Sequence, residues 1–194
     1  MSESREQALW DQFWPAYEDE RYATCSVLLA RIRQIEDSPF LGYLNGEVLR
    51  RLGRGVEAEE MIRAHYTPSC SFAERAEVSL AQLCVMGGCF AEAEEWFRKA
   101  VASNPVKSYP RVFLAAFLAD RGRFPEGCQI LEEALRTDGM MEEVHLNLGR
   151  NFRAMGDYHH AIACFEEALN VAPDYEPAKH DLDDLRQALR IREV

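Results

Sequence analysis

Lysine is scarce in this chain: only Lys99, Lys107 and Lys179 are present, and arginine supplies the other fixed positive charges. Cations as a class are outnumbered, 22 Lys and Arg against 33 Asp and Glu in 194 residues, for a net charge of −11. A chain of that sign is repelled by phosphate backbones, so binding to nucleic acid is not expected. No stretch approaches the ~18–20 uninterrupted apolar residues of a membrane helix. The opening MSESREQALWDQFW has no basic segment leading into an apolar one, so neither membrane insertion nor a secretory leader is expected. The six cysteines form no C-x-x-C pair. That spacing points to reduced, mostly buried thiols in a cytoplasmic protein rather than to zinc or a disulfide framework.

Catalytic signatures are missing as well. Gly87-Gly88 runs into Cys89-Phe90, without the G-K-[ST] ending of a phosphate loop. His159 and His160 are adjacent, and neighbouring helical side chains diverge by about 100°, a poor arrangement for one metal ion. The acidic runs Glu92, Glu94, Glu95 and Glu166-Glu167 read as solvated helix faces. The expectation is a chain that is not an enzyme and holds no cofactor or metal.

What the chain does have is a period. Compared with itself at a shift of 34 residues, it aligns Leu80, Leu114 and Leu148. Ala81, Ala115 and Gly149 follow, then Gly88, Gly122 and Gly156, and Phe90, Phe124 and Tyr158. Ala93, Gly127 and Ala161 agree, as do Phe97, Leu131 and Phe165, and Ala100, Ala134 and Ala168. Such self-similarity marks a repeat architecture. Each segment reads as two short helices joined at the glycine. In the last one, Val144, Leu148 and Phe152 form one apolar stripe at helical spacing. Asp157 suits the N-cap of the helix carrying Ala161, Phe165, Ala168 and Leu169, and Pro173 ends it. Small residues recur where two helices must approach closely, and a larger apolar residue fills the space beside them.

Leu148-Gly149, Phe152, Gly156, Tyr158, Ala161, Phe165, Ala168 and Pro173 resemble the tetratricopeptide repeat, although Glu77, Arg111 and His145 stand where that family usually has Trp. The clear repeats are 74–107, 108–141 and 142–175, preceded by a loose one over 39–72 and a degenerate one over 6–38. A kink is expected at Pro15, and Ser71 with Glu74 reads as a capping box. From Pro177 onward, Leu182, Leu185 and Leu189 line one face of a terminal helix over 176–192, the polar-backed cap that repeat arrays need. The resemblance implies an all-α fold in one domain: a right-handed superhelical solenoid of about five antiparallel helix pairs with a C-terminal capping helix.

It also implies a concave groove lined by the first helix of each pair. The family's groove positions fall on Trp10, Trp14 and Tyr17, then on Phe40, Tyr43 and Arg50. Val78 and Gln82 follow, then Tyr109 and Val112, and finally Arg150 and Arg153. The set is aromatic at one end and cationic at the other, and aromatics and arginine are the residues most enriched at binding hot spots. Trp10 and Trp14 suit either the groove or the packing of their own irregular hairpin. The expected function is an adaptor that holds a peptide or helix of a protein partner, with apolar anchors and an acidic end facing the arginines. The family's carboxylate clamp for chaperone tails is absent: Val78, Gln82, Phe113, Glu143 and Asn147 occupy its positions. The alternatives are a small acidic secretion-type chaperone of bacterial origin or a scaffold subunit of a larger assembly. Self-association into a homo-oligomer stays open.

Overall fold

The computed structural model describes residues 2–68 and 70–192, with the side chains of 5–68 and 70–190. Ser69, which falls in the loop ahead of the third repeat, lies outside the described residues. The described chain is helical, with one isolated parallel bridge between Lys107 and Asp138. It divides into two compact units, Met1–Ala100 and Val101–Val194.

Unit one holds α1 (Ser2–Glu18), α2 (Tyr22–Ile32), α3 (Pro39–Arg51), α4 (Gly55–His65), α5 (Ala73–Met86) and most of α6 (Phe90–Ser103). Leu9, Phe13 and Ala16 of α1 pack with Cys25, Leu28, Leu29 and Ile32 of α2 and with Leu41, Leu44 and Val48 of α3. A second core joins Leu49 to Ala58 and Ile62 of α4 and to Ala76, Leu80 and Leu83 of α5. Each buried leucine or phenylalanine there contributes roughly 1.5–3 kcal/mol by leaving water.

Local signals explain most helix ends. Ser38 caps α3, its Oγ accepting from the Leu41 amide at 3.4 Å, and Pro39 takes the first turn, where its missing N–H costs nothing. The capping box expected at Ser71 is not formed. α5 begins at Ala73, and Phe72 holds the cap position with no side-chain bond. The phenylalanine ring is docked on Phe40 and Tyr43, which fixes the chain there and moves the helix start past Ser71. α1 runs on through Pro15, whose carbonyl accepts from Asp19 N at 3.0 Å. Asp11 and Pro15 are exposed, so the Asp11 carbonyl, which loses its amide partner to the proline, is on the water side.

The turns within the pairs share one geometry. After α3, α5, the second unit's first helix and the helix of the last repeat, a glycine at positive φ closes the turn: Gly53 (76°), Gly88 (76°), Gly122 (73°) and Gly156 (82°). Each glycine amide bonds back three residues, and the next amide bonds back five, as in Arg54 N to Leu49 O and Asp157 N to Phe152 O, both 2.9 Å. These are Schellman closures, which need a left-handed residue that glycine adopts without strain. The α1–α2 turn makes the same bonds, Glu20 N to Tyr17 O and Arg21 N to Ala16 O, but with Glu20 at φ 57°.

Unit two holds α7 (Tyr109–Asp120), α8 (Phe124–Ala134), α9 (Met141–Ala154), α10 (Tyr158–Val171) and α11 (Glu176–Arg192). Val112, Ala115, Cys128, Leu131, Ala134, Val144 and Leu148 form one core, and Leu146, Ala161, Phe165, Ala168, Ala178, Leu182 and Leu185 the next. Gly149 earns its place here, because a Cβ on it would lie 2.5 Å from the Phe165 ring. Asp157 caps α10, accepting from His160 N at 3.2 Å. α11 stands in register as the first helix of a further pair, but Asp183 occupies the place of Gly149 and is exposed. The face of α11 at that position is therefore polar.

Candidate functional site

The aromatic residues expected to line a groove in unit one lie in contact with one another. Helical spacing along α1 puts Trp10 on Trp14, stacked at 5.8 Å between ring centres, and Trp14 edge-on to Tyr17 at 6.4 Å. Tyr17 meets Tyr22 of α2 at 5.7 Å. Across to α3, Trp10 lies 6.4 Å from Phe40, and Phe40 lies 6.5 Å from Tyr43. Phe72 closes the series, 5.4 Å from Phe40 and stacked on Tyr43 at 5.6 Å. The two tryptophans differ in burial. Phe13 takes the fully buried place in the hairpin core, Trp10 and Tyr17 are half-buried against it, and Trp14 remains 42% exposed. Edge-to-face and offset contacts of this kind hold such a surface rigid.

Charge in this face is internally balanced. Glu47 is almost wholly buried, and Arg50 grips it with both nitrogens, Nη2 to Oε2 at 2.8 Å and Nε to Oε1 at 3.3 Å. Burial pushes the Tyr17 hydroxyl above its ordinary pKa and the Glu47 charge adds to it, so the phenol stays protonated and able to donate. Arg50, expected to line the groove, is the partner that makes a buried carboxylate tolerable. Arg51 lies over the Tyr22 ring, 5.9 Å from its centre.

Two of the expected groove residues are core. Val78 has no exposed surface and Val112 has 6%. They lie on the inner side of their helices, where the repeat buries an aliphatic residue, and present nothing to a ligand. Gln82 is half-buried. In unit two, Tyr109 is half-buried and 4.8 Å from Phe113.

At the expected cationic end, Arg150 and Arg153 have partners within the chain. Arg150 Nε donates to Asp181 Oδ2 of α11 at 2.6 Å, and Arg153 Nη1 is 3.4 Å from Asp184 and 3.8 Å from Asp181. Asp181 is nearly buried. Both guanidinium groups therefore hold the terminal helix, and their charge is answered inside the chain.

Phe72 and Asp181 are the residues that sequence reasoning missed. Both left a trace. Phe72, Val106 and Met140 repeat at the same 34-residue shift, and Asp181 and Asp184 have the same spacing as Arg150 and Arg153. Elsewhere, His160 is engaged by Asp157, Nδ1 to Oδ2 at 2.7 Å, and lies 5.3 Å from the Phe152 ring. Glu92 accepts from Trp96 Nε1 at 3.2 Å and from Arg63. Among the described residues no group of three His, Cys, Asp or Glu side chains could hold a metal ion, and no helix is long and apolar enough to cross a membrane. Burial raises the thiols of Cys84 and Cys164 to about 11, far from a reactive thiolate.

Comparison with known proteins places this geometry. Residues 142–175 match a family model described as tetratricopeptide repeat, and residues 39–64 and 108–133 match a second model of the same description. Human tetratricopeptide repeat protein 7B is 34% identical over 92 residues, which are 46% of this chain but only 11% of that protein. Among solved structures, a thermophilic TPR protein of Thermus thermophilus is similar with a TM-score of 0.71 at 20% identity, over 94% of this chain and 99% of its own. The C-terminal part of a TPR repeat-containing protein of Cytophaga hutchinsonii gives 0.69 at 14% identity, covering 91% of this chain and 70% of that one. YrrB, described as a TPR protein with an unusual peptide-binding site, gives 0.60 at 16% identity, over 85% of both chains.

Proposed function

This chain is a tetratricopeptide repeat protein, and we propose that it is a non-enzymatic module that binds a segment of a partner protein on the aromatic face of unit one. The observation that carries the reading is the unbroken aromatic contact series from Tyr22 through Tyr17, Trp14, Trp10, Phe40 and Tyr43 to Phe72. Rings that are already ordered lose little entropy on binding, and large amphipathic side chains supply most of the contact energy of an interface. The half-buried rings give apolar anchorage, and the protonated Tyr17 hydroxyl offers a hydrogen bond to a backbone carbonyl of the segment.

The arginines of α9 are left out of this reading, because α11 satisfies them. So is Arg50, which is committed to Glu47. A segment bound here is therefore selected by its apolar side chains more than by its charge. The exposed Trp14 is the central test. Peptides selected from a displayed library on the intact chain should lose affinity by about 2 kcal/mol or more, roughly thirtyfold, in Trp14→Ala. Helicity should not change, since Trp14 lies outside the buried core. Selected peptides that bind Trp14→Ala and Tyr43→Ala as tightly as the parent would remove the site from this face.

A further inference from the structure

We propose a second docking site at the turn end of unit one, between α4 and α5, that takes an aliphatic and basic segment of a partner protein. It is separate from the aromatic face, and nothing in the reading of that face requires it.

The site starts from misplaced apolar surface. Val56 is 73% exposed and Met86 65% exposed, the two most exposed large hydrophobic side chains among the described residues of unit one. Both line one cleft of about 230 Å³, together with Gly55, Glu59, Leu83 and Gly87. Antiparallel pairing of the helices brings Leu52 at the end of α3 and Phe90 at the start of α6 to the same end of the unit, and both are also exposed. A contiguous apolar patch on a water-soluble surface marks an interaction site. The cleft is smaller than the ~300 Å³ and above typical of small-molecule sites, and suits one or two aliphatic side chains. Gly55 leaves the floor without a side chain, and Leu83 lies 3.8 Å from where its Cβ would stand.

The rim decides what comes with the aliphatic side chain. The C-terminal end of α5 carries partial negative charge, and its last turn has no basic residue. The opposing positive end of α4 already has Glu57 in its first turn, itself paired with Arg54 at 2.7 Å. Glu59, in the wall of the cleft, accepts from Arg63 at 2.8 Å, but Arg63 also serves Glu92. Two carboxylates thus share one guanidinium. Glu60, one turn beyond Val56, is exposed and makes no ion pair among the described residues. The other nearby cations are directed elsewhere, Arg50 to Glu47 and Arg51 to the Tyr22 ring. An apolar cleft with an unbalanced negative rim complements Leu, Ile or Met flanked by Lys or Arg.

Methionine methyl NMR on the full chain reads this site directly, with Met86 as reporter and Met155 of unit two as reference. The probes are an amphipathic Leu/Lys peptide and its Leu/Glu counterpart of equal length. The Leu/Lys peptide should shift the Met86 methyl saturably, leave Met155 in place, and bind more weakly as salt is raised. Val56→Arg, a change at an exposed position that leaves the circular dichroism intact, should weaken that titration about tenfold. Any of three results overturns the proposal: Met86 unmoved, the Leu/Glu peptide moving it as strongly, or Val56→Arg binding like the parent. Loss of the Met86 shift in Trp14→Ala would also overturn it, by assigning the peptide to the aromatic face.

Discussion

Glu20 does in the first turn what glycine does in four others. Its backbone sits at φ 57° and closes the same pair of back-bonds. A side chain in the left-handed region costs about 1–2 kcal/mol. Glu20→Gly is therefore expected to stabilise the chain by about 1 kcal/mol in urea denaturation, and Gly122→Ala to destabilise it by a similar amount. A lower midpoint for Glu20→Gly would show that the carboxylate makes a compensating interaction. The same residue explains why the first repeat reads as degenerate. The 34-residue register is carried by small residues and turn glycines, so the pair lacking the glycine drops out of the pattern even though its turn is built alike. The groove residues divide on the same logic. The repeat pattern tells which helix a residue occupies, but not how much of that helix is covered: Val78 lies in a buried run from Ala76 to Ala81, and Gln82 directly after it is half-buried.

At the scale of elements, the helices and their order were legible because each depends on local chemistry: apolar spacing, Asp157 as a cap, and proline or glycine as stops. The start of α5 was not, because Phe72 is placed by tertiary contact with Phe40 and Tyr43. Tertiary contact also turned α11 from a simple cover into a partner of α9. It buries Ala178, Leu182 and Leu185 and sets Asp181 on Arg150. Leu182→Ala should cost roughly 2–5 kcal/mol from lost burial and the cavity left behind. Asp181→Asn should also destabilise, since it leaves the guanidinium without its charged acceptor, while Asp183→Asn, on the exposed face, should leave the midpoint unchanged. Equal effects of the two asparagine variants in chemical denaturation would refute the assignment of Asp181 to holding α11.

For the whole molecule, negative charge is spread over both units, with 17 acidic against 11 basic residues in the first and 16 against 11 in the second. Acid is expected to weaken the fold in two stages. Burial lowers the pKa of His145, with Glu167 opposing, so the unfolded chain takes up that proton first. Stability should begin to fall as pH drops below the ordinary histidine value of about 6.5. The carboxylates of Asp157, Glu57 and Glu92 are held below their usual range, Asp157 by the His160 amide and ring, Glu57 by Arg54 and Glu92 by Arg63. Their contribution is complete above about 4 and is lost as pH falls through the lowered values. Denaturation midpoints measured from pH 7 to pH 3 should show both stages, and His145→Gln should erase the upper one. A flat profile between pH 7 and pH 5 in the parent chain would remove His145 as its cause.

The four glycine turns have a further consequence for the gene. Gly88, Gly122 and Gly156 recur at 34 residues, while 35 separate Gly53 from Gly88. Cuts made at two such glycines have interchangeable ends, because the chain leaves each in the same conformation. A coding segment from one turn to the next is a cassette that can be duplicated or deleted in frame without designing a new joint. Unequal recombination between such segments would lengthen or shorten the array by whole units, whereas the interval from Gly53 to Gly88, one residue longer than the others, would bring an extra residue with it.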